Sequence, residues 1–135
     1  TNYAGKAQAA IDALKKQDFV FVHLEAPDEA GHQGSLQDKI TAIEDFDARI
    51  VKPITEDLRA RNEDFRVVVT MDHFTPLALR THVSAPVPTL LYDSRELKKG
   101  SGQLFYEKSC TEYDAVEHNS IKAGHEMIEK LFVHK

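Results

Sequence analysis

A chain of 135 residues with 41% hydrophobic and 29% charged side chains has the composition of one globular domain with enough apolar material for a core. Its net charge of −5, with histidine neutral, argues against a nucleic-acid surface, and the lone Cys110 rules out an internal disulfide framework or a thiolate metal cluster. No apolar run reaches the roughly 18 residues that mark a membrane span, no secretory signal opens the chain, and a single thiol fits a reducing compartment, so the cytoplasm is the expected location.

Tyr3, Ala7, Ala10, Ile11 and Leu14 recur at helical spacing and predict a helix over Gly5–Lys16. Asp18 to Leu24 is a continuous run rich in Val and Phe, the pattern of a strand buried on both faces. It ends at Pro27, which lacks the N–H to extend a ladder. Ser35 and Asp38 resemble a capping box, and Leu36, Ile40, Ile43, Phe46, Ile50, Ile54 and Leu58 form one apolar stripe. A long core helix from about Leu36 to Arg61 follows, kinked near Val51 by Pro53.

Arg66 to Met71 predicts a second buried strand. Strand, helix and strand in this order make a βαβ unit with parallel pairing. Val87 to Tyr92 is a third strand candidate, but too few residues separate it from Met71 for a full crossover, so antiparallel pairing stays open. Lys98 to Gly102 reads as a flexible turn and Phe105-Tyr106 as a short edge strand. Ile121, Gly124, Ile128, Leu131 and Phe132 mark a closing helix. The expectation is an α/β layer structure without repeats or internal linkers.

The histidines carry the chemistry. Asp28 and His32 stand four residues apart just past the first strand, so one helical turn would bring carboxylate and imidazole together. Asp72-His73 directly follows the second strand, and His82 lies further along the same connection. Open α/β sheets bind ligands beyond the carboxyl ends of their strands, which draws these residues toward one edge. Two acids and three imidazoles would be costly to bury there without a cation. The mixed set suits Zn²⁺ or Mn²⁺ better than Ca²⁺, and five ligands suggest a two-metal centre with ligands missing. Among the other candidates, Lys6 and Arg80 could meet an anion, Glu25 and Glu29 could orient a ligand or be plain loop residues, and His23 reads as a packed core histidine. His118, His125 and His134 receive no role.

Three segments together resemble the archaeal-type branch of the cofactor-independent phosphoglycerate mutases, within the alkaline-phosphatase superfamily. They are His23-Leu24-Glu25-Ala26-Pro27-Asp28-Glu29-Ala30-Gly31-His32, Asp72-His73-Phe74-Thr75-Pro76, and Arg80-Thr81-His82 with Pro86-Val87-Pro88. The opening Thr1-Asn2-Tyr3-Ala4-Gly5-Lys6-Ala7 and the late Glu107 and Gly124-His125 also fit that branch.

The resemblance implies part of a three-layer sheet, mostly parallel, with helices on both faces. It implies one metal at Asp28, His32 and His82 and another at Asp72 and His73, the ions being Mn²⁺, Zn²⁺, Co²⁺ or Mg²⁺. It further implies interconversion of 2-phosphoglycerate and 3-phosphoglycerate, a glycolytic isomerase reaction, through a phosphoserine, with Lys6 and Arg80 near the substrate. The family's nucleophilic serine lies near the N-terminus of a much longer chain. Ser35, Ser84, Ser94, Ser101, Ser109 and Ser120 do not stand in its context. Residues 1–135 are therefore expected to be the C-terminal portion of such an enzyme, inactive alone and partnered by the missing N-terminal portion. Two alternatives stay open: part of another metal-dependent phosphatase or phosphotransferase of the superfamily, and a non-catalytic metal-binding module.

Overall fold

The computed structural model describes residues 1–96, 100, 102, 104–107, 121 and 123–132. Cys110, His118, His134 and most of the Lys98–Gly102 turn lie outside them. The chain divides into two compact units, residues 1–63 with 74–83, and residues 64–73 with 84–135.

In the first unit, helix α1 (Tyr3–Leu14) starts where the Asn2 side-chain oxygen accepts the Gly5 N–H at 2.9 Å. It buries Tyr3, Ala7 and Ala10, one face at spacings of four and three. Tyr3, Ala7 and Ile50 form the core, and Val22, Leu24, Ala26, Phe46 and Ile54 pack on it. The Arg49 guanidinium lies 4.8 Å from the centre of the Tyr3 ring, a cation–π contact.

Residues 19–25 carry no strand pairing among the described residues. Val20, Val22 and Leu24 are half-buried, whereas Phe19, Phe21 and His23 are exposed, Phe21 at 78%. The backbone is thus covered on one face only, and the expectation of two buried faces fails. Sequence pattern records which side chains tolerate burial, not which neighbour covers them. His23 is likewise no core histidine. It stacks beside Phe21 and faces Glu25 at 3.8 Å.

Helix α2 (Ala26–Gln33) has Pro27 in its first turn, where a missing N–H costs nothing, and ends at Gly34 with φ of 72°. Ser35 then caps helix α3 (Leu36–Phe46). A five-residue π segment (Asp47–Val51) follows, then helix α4 (Lys52–Ala60). The expected kink is this π segment. Pro53 has no N–H to offer the Arg49 carbonyl, and Lys52 bonds back five residues to Asp47. The apolar stripe is only partly core. Ile50 and Leu58 are buried, but Leu36, Ile40 and Ile43 are exposed. The unit closes with residues 74–83, whose ends meet in an antiparallel bridge between Phe74 and Val83.

The second unit holds strand β1 (Arg66–Val69) and strand β2 (Leu90–Asp93). They pair antiparallel, with Arg66 opposite Asp93 and Val69 opposite Leu90. The expected parallel βαβ pairing is absent among the described residues; the short connection before β2 suits the antiparallel alternative. Arg66 donates to Asp93 at 2.5 Å and to the Leu131 carbonyl of helix α5 (Glu126–Phe132) at 2.9 Å. Phe105 and Tyr106 form a bend rather than an edge strand.

Candidate metal centre

The segment that carries Asp28 reads as a loop in the sequence but is helix α2, so Asp28 and His32 share one helical face. The bridged segment 74–83 returns His82 to them. His32 Nε2 lies 3.3 Å from Asp28 Oδ2, His82 Nε2 lies 3.4 Å from Asp28 Oδ1, and the two Nε2 atoms are 3.0 Å apart. One ligand atom from each residue falls within 4.8 Å of the others. The three side chains are 34–51% exposed, open to solvent on one side.

Metal–nitrogen and metal–oxygen bonds of ~2.0–2.2 Å in a tetrahedral site put neighbouring ligand atoms roughly 3.3–3.6 Å apart. The observed separations approach that spacing. The hydrogen bonding agrees. His32 Nδ1 meets the Arg80 carbonyl at 2.9 Å, and a carbonyl only accepts, so Nδ1 carries the proton. In neutral His32 the lone pair is then on Nε2, facing an Asp28 oxygen that is also an acceptor. Two acceptors turned toward each other suit a shared cation, and a backbone carbonyl behind a ligating histidine is the usual way its ring is fixed. Arg80 presents that carbonyl from a left-handed conformation, φ 54°, that residues with a Cβ seldom adopt.

Three residues around Asp28 carry no signal in hydrophobic periodicity. Thr75, 3% exposed, donates its hydroxyl to Asp28 Oδ1 at 2.5 Å. Lys39 of α3 donates to the Thr75 carbonyl at 2.6 Å. Gly31 is buried against Thr75, where an added Cβ would lie 2.7 Å from the Thr75 carbonyl oxygen. Thr75 sits inside the Asp72–Pro76 motif, the one hint of its place that the sequence holds.

Asp72 and His73 belong to the second unit, where the Asp72 carboxylate accepts the His73 backbone N–H at 3.1 Å and faces its ring at 3.3 Å. Lys6 donates to the His23 carbonyl at 2.8 Å and lines a shallow recess of about 260 Å³ with Ala10, Val20 and Phe21. The Arg80 guanidinium packs over Gly34.

The metalloenzyme superfamily matches residues 1–122. Among curated relatives, the 2,3-bisphosphoglycerate-independent phosphoglycerate mutase of Methanosarcina barkeri is 50% identical over 82% of this chain and 28% of its own length. That of Methanothrix thermoacetophila is 44% identical over 90% of this chain and 31% of its own. That of Saccharolobus solfataricus is 44% identical over 68% and 22%. The chain thus spans less than a third of the length of these relatives. No solved structure matches it. Among the described residues no helix is long and apolar enough to cross a membrane.

Proposed function

The chain belongs to the metalloenzyme superfamily, and from that premise we propose that it supplies metal ligands to a cytoplasmic, glycolytic phosphoglycerate mutase. The observation that carries this reading is the convergence of Asp28, His32 and His82 in a chain half identical to proteins of that name. In the reading, these three hold one divalent cation and Asp72 with His73 hold a second, drawn from Mn²⁺, Zn²⁺, Co²⁺ and Mg²⁺. Such a pair of cations neutralises charge on a phosphoryl group and steadies the departing oxygen.

The chain's own residues orient and restrain. Thr75 and the Arg80 carbonyl fix Asp28 and His32 from behind, so their ligand atoms need little rearrangement when loaded. Lys6 and Arg80 are the cations assigned to the substrate's phosphate and carboxylate. The nucleophilic serine is assigned to the part of the relatives that this chain does not span, as is the remainder of a three-layer, mostly parallel sheet. Residues 19–25, with one uncovered face, would add a strand to that sheet.

The test is turnover of 3-phosphoglycerate by the complete protein, with and without Asp28→Asn. The expected result is conversion to 2-phosphoglycerate that is lost in the variant and in chelator. Release of inorganic phosphate in place of 2-phosphoglycerate would assign the chain to a hydrolytic member of the superfamily. Unchanged conversion in Asp28→Asn would refute the metal assignment.

A further inference from the structure

We propose that Thr75 is a positioning residue that holds Asp28 to ligation through a single oxygen and so sets which cations the site prefers. The inference rests on the reading of Asp28, His32 and His82 as ligands.

The carboxylate of Asp28 has two oxygens, and they are not equivalent. Oδ1, 3.4 Å from His82 Nε2, also accepts the Thr75 hydroxyl at 2.5 Å, while Oδ2 lies 3.3 Å from His32 Nε2. That hydrogen bond occupies one of the two lone pairs of Oδ1 and draws on its electron density, which makes Oδ2 the better donor. Thr75 cannot easily turn away. Its carbonyl is held by Lys39, its Cβ and Cγ2 abut Gly31, and its neighbour Phe74 is bridged to Val83. Gly31 lies between Asp28 and His32 on α2, so the clamp fixes Thr75 against the helix that carries two of the ligands.

Ligation by one oxygen favours small cations with few ligands. Ca²⁺ takes six to eight oxygens and commonly chelates a carboxylate through both. Zn²⁺ is satisfied by four donors. Removing the Thr75 hydroxyl frees Oδ1 to chelate and loosens Oδ2, which raises the coordination number and erodes the preference for the smaller ion.

Zn²⁺ and Ca²⁺ are titrated separately into the metal-free chain and into Thr75→Val and Thr75→Ser, and the absorption spectrum of each Co²⁺ complex is recorded. Thr75→Val is expected to bind Zn²⁺ about 10–100-fold more weakly, as for loss of an orienting partner. Its Ca²⁺ affinity should fall less, and its Co²⁺ bands should weaken toward those of higher coordination. Thr75→Ser keeps the hydroxyl and should match the parent chain in all three. Unchanged Zn²⁺ affinity in Thr75→Val would overturn the role of Thr75 and leave the metal site standing. A Thr75→Ser variant without the parent's Zn²⁺-over-Ca²⁺ preference would overturn it too, whether or not Thr75→Val folds. Failure of the parent chain to bind any of the three ions would sink both the site and the inference.

Discussion

Replacing Gly31 by Ala sets two effects of known size against each other. In a helix interior, Ala is favoured over Gly by about 1 kcal/mol. Against this, the new Cβ would lie 2.7 Å from the Thr75 carbonyl oxygen and 3.0 Å from its Cβ and Cγ2, where ordinary contact begins near 3.4 Å. The shortfall at the carbonyl is about 0.7 Å (3.4 less 2.7), and the oxygen that must give way is held by Lys39. Overpacking of this kind costs ~1–3 kcal/mol, so the clash outweighs the propensity gain and the net loss is about 1 kcal/mol. The urea midpoint of the metal-free chain should fall with an unchanged slope. Zn²⁺ affinity should fall about tenfold, because the displaced Thr75 no longer holds Asp28. Gly124→Ala is the control, since among the described residues nothing lies within 4 Å of its added Cβ; it should stay within about 0.5 kcal/mol of the parent. A Gly31→Ala chain that is more stable than the parent and binds Zn²⁺ equally well would refute this packing argument.

Ile50, 2% exposed at the centre of the first unit's core, should cost ~2–5 kcal/mol when cut to Ala, with faster hydrogen exchange along α1 as the local readout. A loss well below 1 kcal/mol would mean that Tyr3 and Ala7 do not depend on it. In the second unit, hydrogen bonds from Arg95 and then Arg66 hold the Asp93 carboxyl well below the usual carboxylate range. A depressed folded-state value contributes stability above the unfolded value of ~3.9, and that stability disappears as pH falls further. Asp93→Asn should therefore lower stability at neutral pH and flatten the acid limb of a melting-temperature profile, whereas an identical acid limb would contradict the ion-pair assignment.

What could be read from the sequence depended on how local the cause was. Ser35 and Pro53 act within one turn of themselves, and the cap and the break in the long helix stand where those residues put them, whereas the Asn2 cap went unread and α1 begins at Tyr3 rather than Gly5. The helix under Asp28 had its own punctuation, Pro27 at the start and Gly34 at the end, but its few apolar residues gave no periodicity to set against the loop reading. Burial was less legible, because it depends on partners. Phe21 and Val22 are equally apolar, yet one faces solvent and the other packs on the core. In the candidate site, Asp28, His32 and His82 were legible by residue type. Thr75 and Lys39 were not, since a hydroxyl and an ammonium that bridge residues 36 and 47 positions away leave no pattern in the chain.

The wide turn at Asp47–Val51 also resolves a contradiction in the long helix. Each residue rotates an α-helix by about 100°, and a π turn spends roughly one residue more per revolution, so everything downstream swings through a comparable angle. Leu36, Ile40 and Ile43 line up with Ile50, Ile54 and Leu58 only on an unbroken helical wheel. Ile50 lies within the widened turn, and Ile54 and Leu58 beyond it point along a different bearing from Leu36, Ile40 and Ile43, like two vanes on a twisted shaft. That fits a core-facing second trio and a first trio left looking elsewhere.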